Sequence, residues 1–218
     1  MNRLALILTT GATLLCLFAC GGMTSPSSST PHDLCATSSG PEMLPFFVYR
    51  DDGDPSNHFI PSGFIGDTAD LILNAADRIA PHSGVTDIRI DYHPSGPMQF
   101  AGVFWQCPAN NFGMVAGAGF NLTRARQVQF WARSSSSAKA EFKVGGIGHG
   151  IPPGQFPESL DSVSTTPVVS DLGTDWRRFT IDVTEHDLTR VVGGFFFVTS
   201  ATDNPGGITL FLDDIVWQ

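Results

Sequence analysis

Residues 194–218 read GFFFVTSATDNPGGITLFLDDIVWQ, and this stretch decides the fold. Two runs rich in aromatic and β-branched residues flank a turn of Asn, Pro and Gly, which is the pattern of two strands joined by a turn. The second run contains two adjacent carboxylates, Asp213 and Asp214, among apolar residues. Neighbouring like charges in a strand need a cation, a buried donor or a shifted pKa. An oxygen-rich site for a hard metal such as calcium meets that need.

Alternation of apolar and polar residues recurs upstream and indicates half-buried strands. Strands are predicted over residues 46–49, 86–93, 100–106, 127–133, 138–144 and 176–183. A turn is expected at residues 61–63 and a polar loop over residues 154–171, while residues 184–190 alone look helical. Strands about ten residues apart, with Gly/Pro turns and almost no helix, predict an all-β fold built as a two-sheet antiparallel β-sandwich of the jelly-roll kind.

The charge balance of the chain excludes one class of partner. The 218 residues include 12 Lys and Arg against 21 Asp and Glu, for a formal net charge of -9. Nucleic-acid binding needs a basic stripe, and the sequence has none. We therefore expect no nucleic-acid partner.

The first residues predict an export signal. A short positive segment at Asn2 and Arg3 precedes an apolar run over residues 4–18, which is too short to span a bilayer with ease. LFAC at residues 17–20 resembles the lipobox of bacterial lipoproteins, which implies cleavage after residue 19 and a lipid on Cys20. An ordinary signal peptide with an incidental cysteine is the alternative. Gly21 follows the cysteine, and by the same resemblance it favours the outer membrane or cell surface.

These observations divide the chain into three parts. Residues 1–19 form the predicted lipoprotein signal peptide, residues 20–42 a Ser/Pro/Gly-rich flexible tether, and residues 43–218 the folded domain. Cys35 and Cys107 remain as the two cysteines that could form a disulfide in an oxidising compartment, and two free thiols are the alternative.

Short motifs spread along the domain resemble bacterial carbohydrate-binding modules of the galactose-binding-like jelly-roll type. They are PSGFIGD (61–67), AGVFWQ (101–106), NNFG (110–113), FWAR (130–133) and LDDI (212–215), and the resemblance covers about residues 45–218. It implies non-catalytic binding of a polysaccharide or oligosaccharide. It also implies a structural calcium where the first strand's loop meets the last strand, with Asp51 or Asp52 and Asp213 or Asp214 as ligands. A solvated acidic loop and an unrelated Asp pair are the alternative.

The polar positions of the middle strands are the predicted ligand-binding residues. Such a surface suits hydrogen bonding to hydroxyl groups and stacking of a pyranose ring. The predicted residues are Arg89, Asp91, Trp105, Trp131, Arg133, Glu141 and Lys143. The alternative is a solvated outer sheet whose charged residues pair with one another.

Catalytic motifs are absent from the sequence, which has no nucleophile elbow and no metalloprotease signature. We therefore expect a binding protein that is not an enzyme and acts as a monomer, with a lipid anchor as its only membrane contact. Two rival functions remain. One is an envelope adhesion or structural protein that binds another protein, and the other is a glycoside hydrolase or lyase that could use carboxylates such as Glu141 and Asp161.

Overall fold

The computed structural model describes residues 35, 40–148, 156 and 160–218 of the chain. Eleven strands lie within these residues, together with one short 3-10 turn, Thr68–Asp70. The strands are β1 (Phe46–Tyr49), β2 (Ile60–Gly66), β3 (Leu71–Asp77), β4 (Asp87–Tyr92), β5 (Phe100–Gln106), β6 (Gln127–Ser134), β7 (Ala138–Lys143), β8 (Val168–Leu172), β9 (Arg177–Asp182), β10 (Gly193–Ser200) and β11 (Ile208–Trp217).

The strands form two antiparallel sheets that pack face to face. One sheet has the order β3-β4-β11-β6-β9, with β1 also paired to β11, and is called here the β11 sheet. The other has the order β2-β5-β10-β7-β8 and is called the β10 sheet. The prediction of an all-β, two-sheet antiparallel sandwich of the jelly-roll kind is confirmed.

The stretch 194–218 supplies one central strand to each sheet. Strands β10 and β11 do not pair with each other, because the turn between them carries the chain from one sheet to the other. Phe195 and Phe197 of β10 and Leu212 of β11 point into the shared core and are fully buried. The Trp217 indole crosses the core and donates a 3.0 Å hydrogen bond to the Gly194 carbonyl. The two halves of this stretch therefore hold the two sheets together.

Three local predictions differ from the structure. Residues 60–66 form strand β2 in place of a turn, with an irregularity between Pro61 and Gly63, and residues 168–172 form edge strand β8 inside the expected loop. Strand β3 was not predicted at all. Residues 184–190 are not helical, since the carboxylates of Asp182 and Asp187 accept the amide two residues further on and so favour turns over a helix.

The cysteine pair is joined. Cys35 and Cys107 form a disulfide that ties the segment before β1 to the end of β5. Within the described part of the chain, no helix is long and apolar enough to cross a membrane. The predicted signal peptide and Cys20 lie outside the described residues.

Candidate functional site

The predicted ligand-binding residues do not form one surface. Four of them, Arg89, Asp91, Trp131 and Arg133, belong to β4 and β6 and lie on the outer face of the β11 sheet. Glu141 and Lys143 belong to β7 and lie on the outer face of the β10 sheet, across the sandwich. The prediction from alternation that these residues share one outer face is therefore wrong. Alternation fixes which side chains point outward from a strand, but it does not fix which sheet the strand joins.

Trp105 lies in the core and contacts no open surface. It is fully buried and packs edge to face against Phe195, with ring centroids 5.5 Å apart. Because Trp105 is buried, its prediction as a ligand-binding residue is wrong. Strand β5 is buried along both faces, so alternation along it did not distinguish inside from outside.

On the outer face of the β11 sheet, the loop of residues 78–86 covers the aromatic side chains. The imidazole of His82 stacks on the Trp131 indole at a centroid distance of 3.8 Å. The Arg133 guanidinium lies 3.8 Å from the ring centroid of Phe211 and donates a hydrogen bond to the Ile79 carbonyl. Trp131 and Arg133 thus hold this loop on the sheet.

Two further predicted residues of the β11 face, Arg89 and Asp91, pair with each other. Arg89 Nε lies 3.0 Å from a carboxylate oxygen of Asp91, and the Thr209 hydroxyl donates a 2.6 Å hydrogen bond to the same carboxylate. Trp176, on the segment before β9, donates its indole N–H to the Ala80 carbonyl. The Arg89–Asp91 pair matches the alternative of an outer sheet whose charged residues pair with one another.

The outer face of the β10 sheet contains an open pocket of about 170 Å³. Its lining combines one aromatic ring, an aliphatic floor and a rim of polar groups. The lining residues are Phe100, Lys139, Ala140, Glu141, Val198, Thr199, Ser200 and Asp203. Gly102, which pairs with Val198 in the neighbouring strand, places no side chain beside the floor.

Two charged groups of this open pocket make no hydrogen bond or ion pair within the described part of the chain. The carboxylate of Glu141 is half-buried and makes no hydrogen bond or ion pair with any residue that the structure describes. The exposed ammonium group of Lys139 is likewise unpaired among the described residues. On the opposite rim, the Ser200 hydroxyl donates a 2.8 Å hydrogen bond to Asp203. The pocket therefore presents a free acceptor and a free donor beside an apolar floor.

Lys143 lies beside the pocket without lining it. Its ammonium group is 5.2 Å from the ring centroid of Phe196 and 6.0 Å from that of Phe104. Burial lowers the pKa of Lys143, although the carboxylates of Asp161 and Glu141 act in the opposite direction. Phe104 and Phe196 belong to a small buried apolar cluster on the outside of this sheet. The Lys143 side chain lies over these two rings and does not reach into the pocket.

Seven of the eight residues that line the pocket were not predicted from the sequence: Phe100, Lys139, Ala140, Val198, Thr199, Ser200 and Asp203. Lys139 could have been found, because it shares the outward side of β7 with Glu141 and Lys143. Asp203 lies in the turn after β10, and no sequence pattern ties a turn residue to a neighbouring strand's surface.

Three of the four aspartates predicted to bind calcium converge on the loop of residues 78–86. Asp51 accepts the amides of Val85 and Thr86 at 2.8 Å each. Asp213 accepts hydrogen bonds from the amides of His82 and Ser83. Asp214 accepts a hydrogen bond from the Ser83 hydroxyl and lies 2.9 Å from Nδ1 of His82. Asp52 is exposed and contributes only its backbone amide, to Thr86. The calcium site stays a prediction.

The domain is similar in structure to several carbohydrate-binding modules. A crystal structure of a family 30 carbohydrate-binding module shows 14% identity and a TM-score of 0.49, covering 81% of this chain and 99% of that chain. A family 4 module shows 14% identity and a TM-score of 0.43, with coverages of 73% and 93%. The family 11 module from Clostridium thermocellum, in complex with a mixed-linked tetrasaccharide, shows 9% identity and a TM-score of 0.41, with coverages of 67% and 80%.

No protein-family model matches the chain, and no curated protein matches it. At the identities and TM-scores of the solved structures, the similarity does not extend to a ligand or to particular site residues.

Proposed function

We propose that this domain binds a carbohydrate in the open pocket of the β10 sheet and does not cleave it. The observation that carries the proposal is the unpaired, half-buried carboxylate of Glu141 beside the apolar floor at Val198. Binding sites combine apolar surface with a few convergent polar groups. Sugar hydroxyls donate to carboxylates and accept from ammonium groups, while the C–H face of a pyranose suits an aromatic or aliphatic floor.

Phe100, Glu141 and Lys139 then have separate roles. Phe100 offers the ring face at one side of the pocket, and Glu141 accepts hydrogen bonds from ligand hydroxyl groups. Lys139 donates from the rim, where its flexible side chain can follow the ligand. The side chains of Glu141 and Lys139 make no hydrogen bond or ion pair with the described residues, so binding a ligand does not cost them such a partner.

The position of Asp161 favours binding over hydrolysis. A glycosidase needs two carboxylates that both reach the scissile bond. Asp161 is buried, and its carboxylate accepts the amides of Ile147, Val192 and Gly193. Asp161 therefore holds the loops beside β10 and is not available to a substrate. Glu141 then lacks the second carboxylate that a glycoside hydrolase would need.

We also propose that the chain is a lipoprotein of the cell envelope, held by a lipid on Cys20 and by the tether of residues 20–42. The support is the lipobox-like LFAC at residues 17–20. Cys20→Ser is expected to abolish incorporation of a labelled fatty acid and to release the protein from the membrane fraction. Incorporation that persists in this variant would show that the cysteine is incidental.

A retention screen tests the binding proposal. The purified protein is passed over a panel of immobilised polysaccharides with calcium held constant. We expect selective retention by at least one polysaccharide, lost in Glu141→Ala and kept in Arg89→Ala, which removes a charge on the opposite face. Retention by none of them would refute carbohydrate binding and favour a protein partner in the envelope.

A further inference from the structure

A groove lies at the end of the sandwich opposite the open pocket, and it is called here the end groove. It is bordered by the start of β1, the start of β2, the residue after β5 and the segment before β6, through Phe46, Ile60, Cys107 and Phe120. Its cavity volume is about 600 Å³, against about 170 Å³ for the open pocket. Strand β5 runs from the pocket, which Phe100 lines, to the end groove. The two sites are therefore separate.

The lining of the end groove is mostly apolar, and it is formed before any ligand arrives. Cys107 is joined to Cys35 by the disulfide, which ties one wall of the groove covalently to the end of β5. The buried rings of Phe46 and Phe120 pack edge to face, with centroids 4.8 Å apart. Ile60 is 48% exposed at the rim. Concave, pre-formed and largely apolar surfaces are typical of small-molecule sites, which indicates a ligand with an apolar body.

Two polar side chains of the end groove are available to a ligand. Glu42 and His58 are partly exposed, and their side chains make no hydrogen bond or ion pair with the residues that the structure describes. The His58 imidazole stacks on the Phe46 ring at a centroid distance of 3.8 Å, which fixes its orientation. The side chain of Asn57 also lines the groove, but it is hydrogen-bonded to the backbone of its own loop.

The end groove favours a cation. Among the described residues that line it, Glu42 alone carries a formal charge at neutral pH. Burial lowers the pKa of His58, although the carboxylate of Glu42 acts in the opposite direction. The imidazole is therefore mainly neutral at neutral pH, and one of its nitrogens can accept a hydrogen bond. A carboxylate and a neutral imidazole both accept, so a ligand that donates and carries positive charge complements them.

We propose that the end groove binds a small organic cation, namely a primary ammonium group attached to an apolar body. An ammonium group has three donors, which is enough to reach the Glu42 carboxylate and the His58 imidazole together. The apolar body then lies against Ile60 and the disulfide, where it leaves water. A neutral ligand would leave the charge of Glu42 unpaired, and an anion would be repelled by it. This second site does not depend on carbohydrate binding in the open pocket.

Three ligands with the same alkyl chain and different head charges test the proposal: hexylammonium, hexanol and hexanoate. Each is titrated into the purified protein at neutral pH, and amide chemical shifts are followed by NMR. Hexylammonium is expected to bind at least about fivefold more tightly than hexanol, since a charge-assisted hydrogen bond is the stronger kind. Hexanoate should bind more weakly than hexanol. The largest shifts are expected at Glu42, His58 and Ala109, with Glu141 and Val198 unmoved.

Three variants separate the charge of the groove from its apolar surface. Glu42→Gln keeps the size of the side chain and removes its charge, so the preference for hexylammonium over hexanol should fall to within about twofold. Glu185→Gln removes the same charge from an exposed residue outside the groove and should keep the preference. Ile60→Thr reduces the apolar rim and should weaken all three ligands by a similar factor, about threefold.

Several results would overturn the proposal. They are that none of the three ligands binds, that hexanol binds as tightly as hexylammonium, or that Glu42→Gln keeps the preference. An equal loss of preference in Glu185→Gln would also overturn it, because the cation would then be attracted by the overall negative charge of the chain. Amide shifts confined to the β10 face would place the cation in the open pocket and would equally contradict it.

Discussion

On the outer face of the β11 sheet, Arg133 lies against Phe211 and reaches the Ile79 carbonyl, and Trp131 is stacked under His82. On the outer face of the β10 sheet, Glu141 lines an open pocket and makes no hydrogen bond or ion pair with the described residues. Both faces have charged and aromatic residues at outward strand positions. They differ in whether a loop of the protein has already taken the hydrogen bonds that a ligand would need.

This difference separates side chains that hold the fold from side chains that are free to bind. A paired group must lose its internal partner before it can bind a ligand, so its net gain is small. An unpaired group in a depression has no such loss. The comparison therefore predicts that substitutions on the β10 face change binding and those on the β11 face change stability.

The largest effect is expected from Glu141→Ala. Hydrogen bonds to a charged group contribute about 1.5 to 3 kcal/mol, so affinity for the retained polysaccharide should fall about 10- to 100-fold. The free energy of unfolding should change by less than about 0.5 kcal/mol, because Glu141 makes no described contact that folding needs. Isothermal titration and chemical unfolding of the same preparation measure the two quantities. Equal affinity in wild type and variant would move the site away from this pocket.

Trp131→Ala gives the opposite pattern. The substitution removes the ring that His82 covers, and the free energy of unfolding should fall by about 2 kcal/mol, less than for a fully buried Trp. The affinity of the folded fraction for the polysaccharide should remain within about twofold of wild type, which is a small change in binding free energy. A large loss of affinity without a loss of stability would assign the ligand to the β11 face.

The pH dependence of stability should be unusual because of the buried aspartates beneath the 78–86 loop. The folded-state pKa is raised to about 7 for Asp87 and about 6 for Asp213, so the folded form holds more protons than the unfolded form between about pH 4 and pH 7. In chelator, the unfolding midpoint should therefore fall by a few degrees as the pH rises from about 5 through about 7.

Asp87→Asn is the control for this pH dependence, since it removes the main titrating group and should flatten the slope. Aspartates whose pKa is lowered, such as Asp51 and Asp70, stay ionised across this window and do not obscure it. A midpoint that rises with pH over the same range would contradict the assignment.

The smallest expected effect is on tryptophan fluorescence. All four Trp residues lie away from the pocket: Trp105 and Trp217 are in the core, and Trp131 and Trp176 are on the β11 side. Saturation with the polysaccharide should leave the emission intensity and maximum unchanged. Quenching or a shift in the maximum would place the ligand beside Trp131 and Trp176.

The sequence predicted the sandwich because alternation and turn residues are local. Patterns within a few residues of each position predicted most strands and the two-sheet architecture. The disulfide between Cys35 and Cys107 was one of two alternatives. It did not predict that β6 and β7, neighbours in the chain, join opposite sheets, because strand order depends on contacts far apart in sequence. Trp131 and Glu141 were therefore assigned to one face when the sandwich separates them.

The pocket itself was predicted only in part. Glu141 was identified by its outward position in β7, but Phe100 and Asp203 reach the pocket from β5 and from the turn after β10. The buried position of Asp87 opposite Asp77 depends on the register of two strands, so single-strand patterns did not indicate it.

The most direct test of the two-face comparison is to map amide chemical shifts by NMR while the polysaccharide fragment that retains the protein is titrated in. Binding in the open pocket predicts the largest shifts at Gly102, Glu141, Val198 and Ser200, with residues 78–86 and 131–133 unmoved. Shifts concentrated at Trp131, Arg133 and the loop of residues 78–86, with the β10 face silent, would show that the ligand binds the opposite face.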